Sequence, residues 1–272
     1  MRALFSKLKR AVLHAVRNAV GVVTPSLAYA PPNGPQPRQR ILVLGVYLSD
    51  ENNTVAHLVS EFGRSRHHTV VQGWARLGRA EPAIEVERVT RLSSVEMVQK
   101  FILLNRLLAL HDLNQFDHVI FTDDDVRLRR GFVDTYIGLQ NRCLLALSQP
   151  ARTTLSYISY VESRRLHSAR VRETNFVEIG PVFCVSRAAF SHLLPFDESS
   201  GMGYGYDMVW PRRMQAARLR MGTMDGCPID HTIRRIGKTY SQNMHMQSMQ
   251  TFLEKNPHMR LEEALKRNEI IF

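Results

Sequence analysis

A chain of 272 residues, 44% of them hydrophobic and 22% charged, has material for one large core or two small ones and is too apolar for a disordered polymer. No window holds the ~18 uncharged apolar residues that a membrane-spanning helix needs, so the body reads as soluble and cytoplasmic, with peripheral membrane contact as its closest approach to lipid. The formal net charge of +11 predicts anionic partners, and three scattered cysteines (Cys143, Cys184, Cys227) without a CxxC pair argue against a disulfide framework or a zinc site.

The first 40 residues stand apart. "MRALFSKLKRAVLHAVRNAVGVV" spaces Leu4, Leu8, Val12, Ala15 and Val16 helically among Arg2, Lys7, Lys9, Arg10 and Arg17, a basic amphipathic pattern suited to contact with a membrane surface through residues 1–24. A cleaved signal is the rival reading, because "AYA" at 28–30 resembles a cleavage site, although His14, Arg17 and Asn18 interrupt its apolar stretch. A disordered tail is the third. "PPNGPQPRQR" then reads as a linker, since its prolines neither continue a helix nor donate to a ladder. A main domain is expected over 41–240, followed by a helical extension over 241–272.

Within the main domain, "RILVLGVYL" is a continuous apolar run of strand length, the mark of a strand buried on both faces. "HHTVVQGWARL" and "IEVERVT" follow as candidate strands. "SSVEMVQKFILLNRLLALHDL" has helical spacing and a serine start signal. "FDHVIFTDDD" reads as a strand with an acidic end, "GFVDTYIGLQNRC" as a helix and "LLALSQPA" as a strand. The alternation predicts an α/β Rossmann-like fold with a mostly parallel sheet flanked by helices, whose ligands bind beyond the carboxyl ends of the strands.

Asp123, Asp124 and Asp125 fall at such an end. Three adjacent anions repel, so something cationic should share the site, either arginines or a metal. In an extended segment Asp123 and Asp125 point the same way, forming a D-x-D clamp of hard oxygens suited to Mn2+ or Mg2+ on phosphate. A solvated acidic turn paired with Arg127, Arg129 and Arg130 is the plainer alternative. Three later stretches add chemistry: "NFVEIGPVFCVSRAAF" carries Glu178 in a strand-like run, "GMGYGYDMVWP" is glycine-rich then acidic and aromatic, and "MGTMDGCPIDHT" ends in Asp-His. Each also has a structural reading: a salt bridge for Glu178, a helix-dipole acid for Asp207, a core histidine for His231.

Taken in order, "VIFTDDDV", "LALSQPA", "NFVEIGPVFCVSRAAF", "GYGYDM" and "GTMDGCPIDHT" resemble a domain family best known from plants that is similar to nucleotide-sugar glycosyltransferases of the A-type fold. The resemblance runs from about residue 95 to 240. It departs at Thr122 and the Asp-Asp-Asp run, where the plant proteins carry an aromatic and Asp-Glu-Asp, and at Tyr204, where they carry Trp. It implies a metal-dependent hexosyltransferase, inverting in outcome, that moves sugar from a nucleotide-sugar to a glycan or lipid-linked acceptor hydroxyl in polysaccharide biosynthesis.

By that resemblance Asp123, Asp125 and His231 hold the cation on the donor diphosphate and Asp207 is the general base, with Glu178 second. Asp123 and Asp124 face the donor; from its place at a strand end Asp50 reads as a contact to base or ribose or as a simple turn acid, and Lys100, on the helix before the acidic strand, as a phosphate contact or a solvated helix-face lysine. Tyr204, Tyr206 and Trp210 offer flat faces to a sugar ring, with plain core as the other reading of such aromatics, and Gly201, Gly203 and Gly205 permit close backbone approach. Arg164, Arg165, Arg170 and Arg172, with His167, form a basic loop suited to an anionic acceptor or simply to solvent. Two other classes fit part of the pattern. A metal-dependent phosphoesterase or nuclease would need more ligands, and a non-catalytic anion or membrane binder leaves the aspartates without purpose. Neither a dinucleotide fingerprint nor a P-loop occurs, and nucleic acid is not the expected partner.

Overall fold

The computed structural model describes residues 37–234 and 242–272, together with residues 8, 11, 12 and 14–16. Most of the N-terminal segment 1–24 and of the proline-rich linker lies outside the described residues.

The described chain runs β1 (Arg40–Leu48), α1 (Val55–Phe62), β2 (Thr69–Leu77), α2 (Ile84–Glu87), β3 (Thr90–Ser94), α3 (Lys100–Leu108), β4 (His118–Thr122), α4 (Phe132–Arg142) and β5 (Leu145–Arg152). It continues with β6 (Val171–Thr174), β7 (Val182–Ser186), α5 (Phe190–Leu193), α6 (Tyr206–Ala216), β8 (Arg220–Ile229), α7 (Gln242–Lys255), α8 (Leu261–Ala264) and β9 (Asn268–Ile270). The strands form one sheet in the order β3-β2-β1-β4-β7-β5-β8-β6-β9.

The first half matches the expected parallel sheet: β3, β2, β1 and β4 are parallel neighbours. The second half does not. β7 enters antiparallel between β4 and β5, β8 is parallel to β5, and β6 is antiparallel to both β8 and β9. The sheet is therefore mixed, as large sheets commonly are. β9 comes from the stretch expected to be a helical extension, so the end of the chain supplies a strand as well as α7 and α8.

Alternating residues of the central strands feed two cores. Leu42, Leu44, Val119, Phe121, Phe183 and Val185 face α3 and α6 in one; Ile41, Val43, Ile120, Val182 and Cys184 face α1 and α4 in the other. This double burial explains the uninterrupted apolar run of β1. Gly45 belongs to it for a steric reason: a Cβ there would lie 2.3 Å from the Trp74 ring packed across the strand.

Two elements differ from the sequence expectation. Of "IEVERVT", Ile84–Glu87 form the single turn α2 and only Thr90 enters a strand, β3, because Val86 and Val89, three apart, are the pair that packs inward while Ile84 is exposed. The long helix expected from Ser93 starts only at Lys100. Ser93 and Ser94 are spent in pairing β3 with β2, and the Ser94 hydroxyl closes a turn by accepting from the Glu96 N–H at 3.1 Å. Among the described residues no helix is long and apolar enough to cross a membrane.

Candidate active site

A cavity of about 290 Å3 opens over the carboxyl ends of β1, β4, β5 and β8. Because β7 runs the other way, its leading loop 178–181 reaches the same rim. That loop, and not a strand as expected, carries Glu178. Lining residues include Lys100, Asp123, Asp124, Asp125, Arg152, Glu178, Tyr204, Asp207, His231 and Arg234.

The three aspartates are not equivalent. Asp124 is a framework residue: its Oδ2 accepts the Leu48 N–H at 2.7 Å, its carbonyl accepts both the N–H and the hydroxyl of Thr54 at 2.6 and 2.9 Å, and its carboxylate pairs with Arg234. These bonds tie the end of β4 to β1 and to the start of α1. Asp123 pairs with the Lys100 ammonium at 2.5 Å, which also donates to the Ile179 carbonyl at 3.0 Å. Asp125 lies 3.3 Å from His231 Nε2 and 3.4 Å from Arg234 Nε; its Oδ1 and His231 Nδ1 are buried without a hydrogen-bond partner. Protein cations therefore neutralise much of the acidic run.

Across the cavity, Arg152 at the end of β5 donates from Nη2 to Glu178 Oε2 and to the Gly180 carbonyl, both at 2.6 Å. Its other nitrogens have no partner, nor has Glu178 Oε1. Asp207 sits in the first turn of α6 behind Gly205, whose φ of 97° makes the left-handed entry to the helix. The residue as a whole is half-buried, but its Oδ1 is fully so and unpartnered. Burial first, and the Glu178 charge second, push its carboxyl up to about 7, against the first-turn N–H groups that favour the ion. The helix-terminal acid expected from sequence is thus also the carboxyl with the raised proton affinity. Burial also raises the Tyr204 phenol, helped by the Asp123 and Asp207 carboxylates.

Several expected site residues lie elsewhere. Asp50 is exposed, and its carboxylate holds the turn after β2 by accepting the Arg79 and Ala80 N–H groups at 2.9 and 2.7 Å. Tyr206 and Trp210 are fully buried. Tyr206 stacks on Phe101 at 5.4 Å and Trp210 packs against Phe183 at 5.0 Å, so both are core rather than sugar platforms. Trp210→Ala should therefore lower stability by about 3–5 kcal/mol in a urea titration while leaving the cavity's ligand affinity unchanged in the folded fraction. Gly201 and Gly203 meet Gln99 and Phe101, and Gly205 meets Phe252; their small size serves packing, not a ligand. Of the basic loop, Arg172 is wholly buried.

Sequence reasoning missed Arg152 and Arg234. Arg152 could have been found from its position at a strand's carboxyl end; Arg234 lies beyond β8, where no periodicity marks it.

Among the described residues no three His, Cys, Asp or Glu side chains converge as a metal cage. Asp123, held by Lys100, does not join Asp125 and His231 in the expected three-ligand set. The Asp125 and His231 pair does fit a divalent cation whose remaining ligands are diphosphate oxygens: carboxylate with phosphate is the usual arrangement for Mg2+, and the imidazole favours a transition ion such as Mn2+ over it. Charge agrees: with Asp207 ionised, five carboxylates line the cavity against Lys100, Arg152 and Arg234, an excess of two negative charges.

No family model and no curated protein matches the chain. Among solved structures, the mannosyltransferase PcManGT from Pyrobaculum calidifontis, in complex with GDP-Man and Mn2+, is similar with a TM-score of 0.52 and 13% identity over 95% of this chain and 75% of that one. GalNAc-T7 with UDP, GalNAc and Mn2+ has a TM-score of 0.53 and 8% identity, over 78% of this chain and 47% of that one, so this chain spans about half of its length. At these identities the likeness is one of fold. The chain has the glycosyltransferase A-type fold that the sequence resemblance implied.

Proposed function

We propose that this protein is a metal-dependent glycosyltransferase that moves a sugar from a nucleotide-sugar to the hydroxyl of a glycan or lipid-linked acceptor, in polysaccharide or glycan synthesis. The observation that carries this reading is a convergence: Asp125 Oδ1, His231 Nδ1, Glu178 Oε1, Asp207 Oδ1 and two nitrogens of Arg152 are all buried without partners, and all belong to the lining of one cavity. Each such group costs about 1–3 kcal/mol when left unpaired, and a polar ligand meeting them recovers that cost.

In this reading Val46, Leu48, Leu77 and Val98 form an apolar wall for the nucleoside, and Asp125 with His231 holds the Mn2+ or Mg2+ that neutralises the donor diphosphate. When bound, that cation supplies Lewis-acid stabilisation of the leaving nucleoside diphosphate. Lys100 keeps Asp123 in place and adds positive charge beside the phosphates. Asp207 takes the proton of the acceptor hydroxyl, which displaces the nucleotide directly with inversion. Glu178, clamped by Arg152, sustains the raised affinity of Asp207 for that proton, and Tyr204 covers the sugar. A phosphoesterase or nuclease with two metals would need a larger ligand set than any among the described residues.

Calorimetric titration of nucleoside diphosphates and their sugars, with and without Mn2+, tests the assignment. One nucleotide should bind in a Mn2+-dependent way, and Asp125→Asn should weaken it at least ~10-fold, as expected when a charge-assisted ligand bond is removed. Binding indifferent to both Mn2+ and Asp125→Asn would overturn it.

A further inference from the structure

The described residues of the N-terminal segment, 8, 11, 12 and 14–16, are helical. On a helix at 100° per residue, Leu8, Ala11, Val12, Ala15 and Val16 share one arc of about 140°, and all five are exposed. Leu8, Val12 and Val16 are 60%, 55% and 53% exposed. His14 falls on the far side of that wheel. It is only 7% exposed, and its Nε2 bonds the Arg164 carbonyl at 3.0 Å. A helix docked on a globular body ordinarily turns its apolar arc inward. Among its described residues, this one turns a polar side chain, His14, to the body and the apolar arc outward.

Composition says what covers that arc. Seven Lys and Arg residues precede the first carboxylate of the chain, Asp50, so an apolar strip is set in sequence that is basic throughout. Small and medium apolar side chains interspersed in sequence with Lys7, Lys9, Arg10 and Arg17 complement the interface of an anionic bilayer, where burial of the arc and attraction to headgroups act together. We infer that the exposed apolar arc of Leu8, Ala11, Val12, Ala15 and Val16, held to the body through His14, is a membrane-docking surface that seats the protein on anionic lipid.

Its attachment point gives the docking a direction. Arg164 closes the segment that begins at Ser159 and Tyr160, and those two residues line the cavity. The helix is thus anchored on the continuation of the cavity's own wall, which brings the rim near the lipid surface.

Vesicle flotation of the full chain tests this, with phosphatidylcholine alone and mixed with phosphatidylglycerol. Wild type should float with the anionic vesicles, at least ~10-fold more than with neutral ones, and be largely released at high salt. A Leu8→Asn, Val12→Asn, Val16→Asn triple variant, which keeps every charge and alters only exposed positions, should lose ~10-fold or more of that binding with its melting temperature and nucleotide affinity unchanged. The inference fails if wild type ignores anionic vesicles or if the triple variant floats as well as wild type. It also fails if light scattering finds a dimer that the triple variant dissolves, since a second copy then covers the arc.

Discussion

Asp207→Asn is expected to lower sugar transfer by roughly 10²–10⁴-fold, the usual loss of a general base, while Mn2+-dependent nucleotide binding persists. Because the carboxyl titrates near 7, wild-type transfer should fall as pH drops below about 7, where the base is already protonated. The same shift acts on stability. Its ordinary value is 3.8 and its folded value about 7, so between these the folded chain holds a proton that the unfolded chain has released. The resulting stabilisation is complete at pH below about 3.8 and is lost as pH rises to about 7, by up to about 4 kcal/mol. Asparagine has no such dependence. Urea titrations at pH 5 and pH 8 should find the variant gaining on wild type at the higher pH. An equal difference at both would mean that Asp207 ionises without strain, and normal transfer by the variant would remove it from the chemistry.

Breaking the Arg172 and Asp225 pair should cost about 3–5 kcal/mol, the penalty for stranding one partner of a buried ion pair. Both side chains are fully buried. The guanidinium uses all five N–H groups: Nε and Nη2 meet Asp225 at 2.6 and 2.9 Å, Nη1 meets the Glu162 carbonyl and Asn268, and Nη2 also meets the Arg164 carbonyl. One side chain thus joins β6, β8, the strand from the chain's end and the loop beneath the cavity rim. Arg172→Met should show the full loss in urea denaturation. Adding Asp225→Leu should restore most of it, since an apolar pair needs no partner; if the double variant is no better than the single, the hydrogen bonds to the loop outweigh the charges.

The sequence was most legible where one physical signal dominated. β1, β4 and β5 read correctly because strands buried on both faces lose the alternation that water imposes on others. Asp123 to Asp125 were located by a rule about strand ends. Direction was not legible: nothing in "PVFCVS" says that β7 runs antiparallel, because pairing sense is set by the neighbours it joins. The aromatic residues misled for a related reason. Tyr206 and Trp210 follow a glycine-rich loop, as a sugar platform would, but the turn into α6 swings them into the core and leaves Tyr204 at the cavity. Arg172 looked solvated within "RRLHSARVRE" because its partners are distant in sequence, and Asp50 looked like a ligand contact because a turn acid and a ribose acid are the same residue type.

β7 has a mechanical consequence. Among the described strands it alone joins the parallel half of the sheet to the mixed half, and its side chains alternate between the two cores, with Phe183 and Val185 in one and Val182 and Cys184 in the other. A slip of one residue would exchange all four between the cores, so the seam is locked in register. The two sides of the cavity cannot swing apart like jaws on a hinge. Whatever ligand the cavity takes, movement to admit it falls to the connections above the sheet, with the floor beneath them held in register.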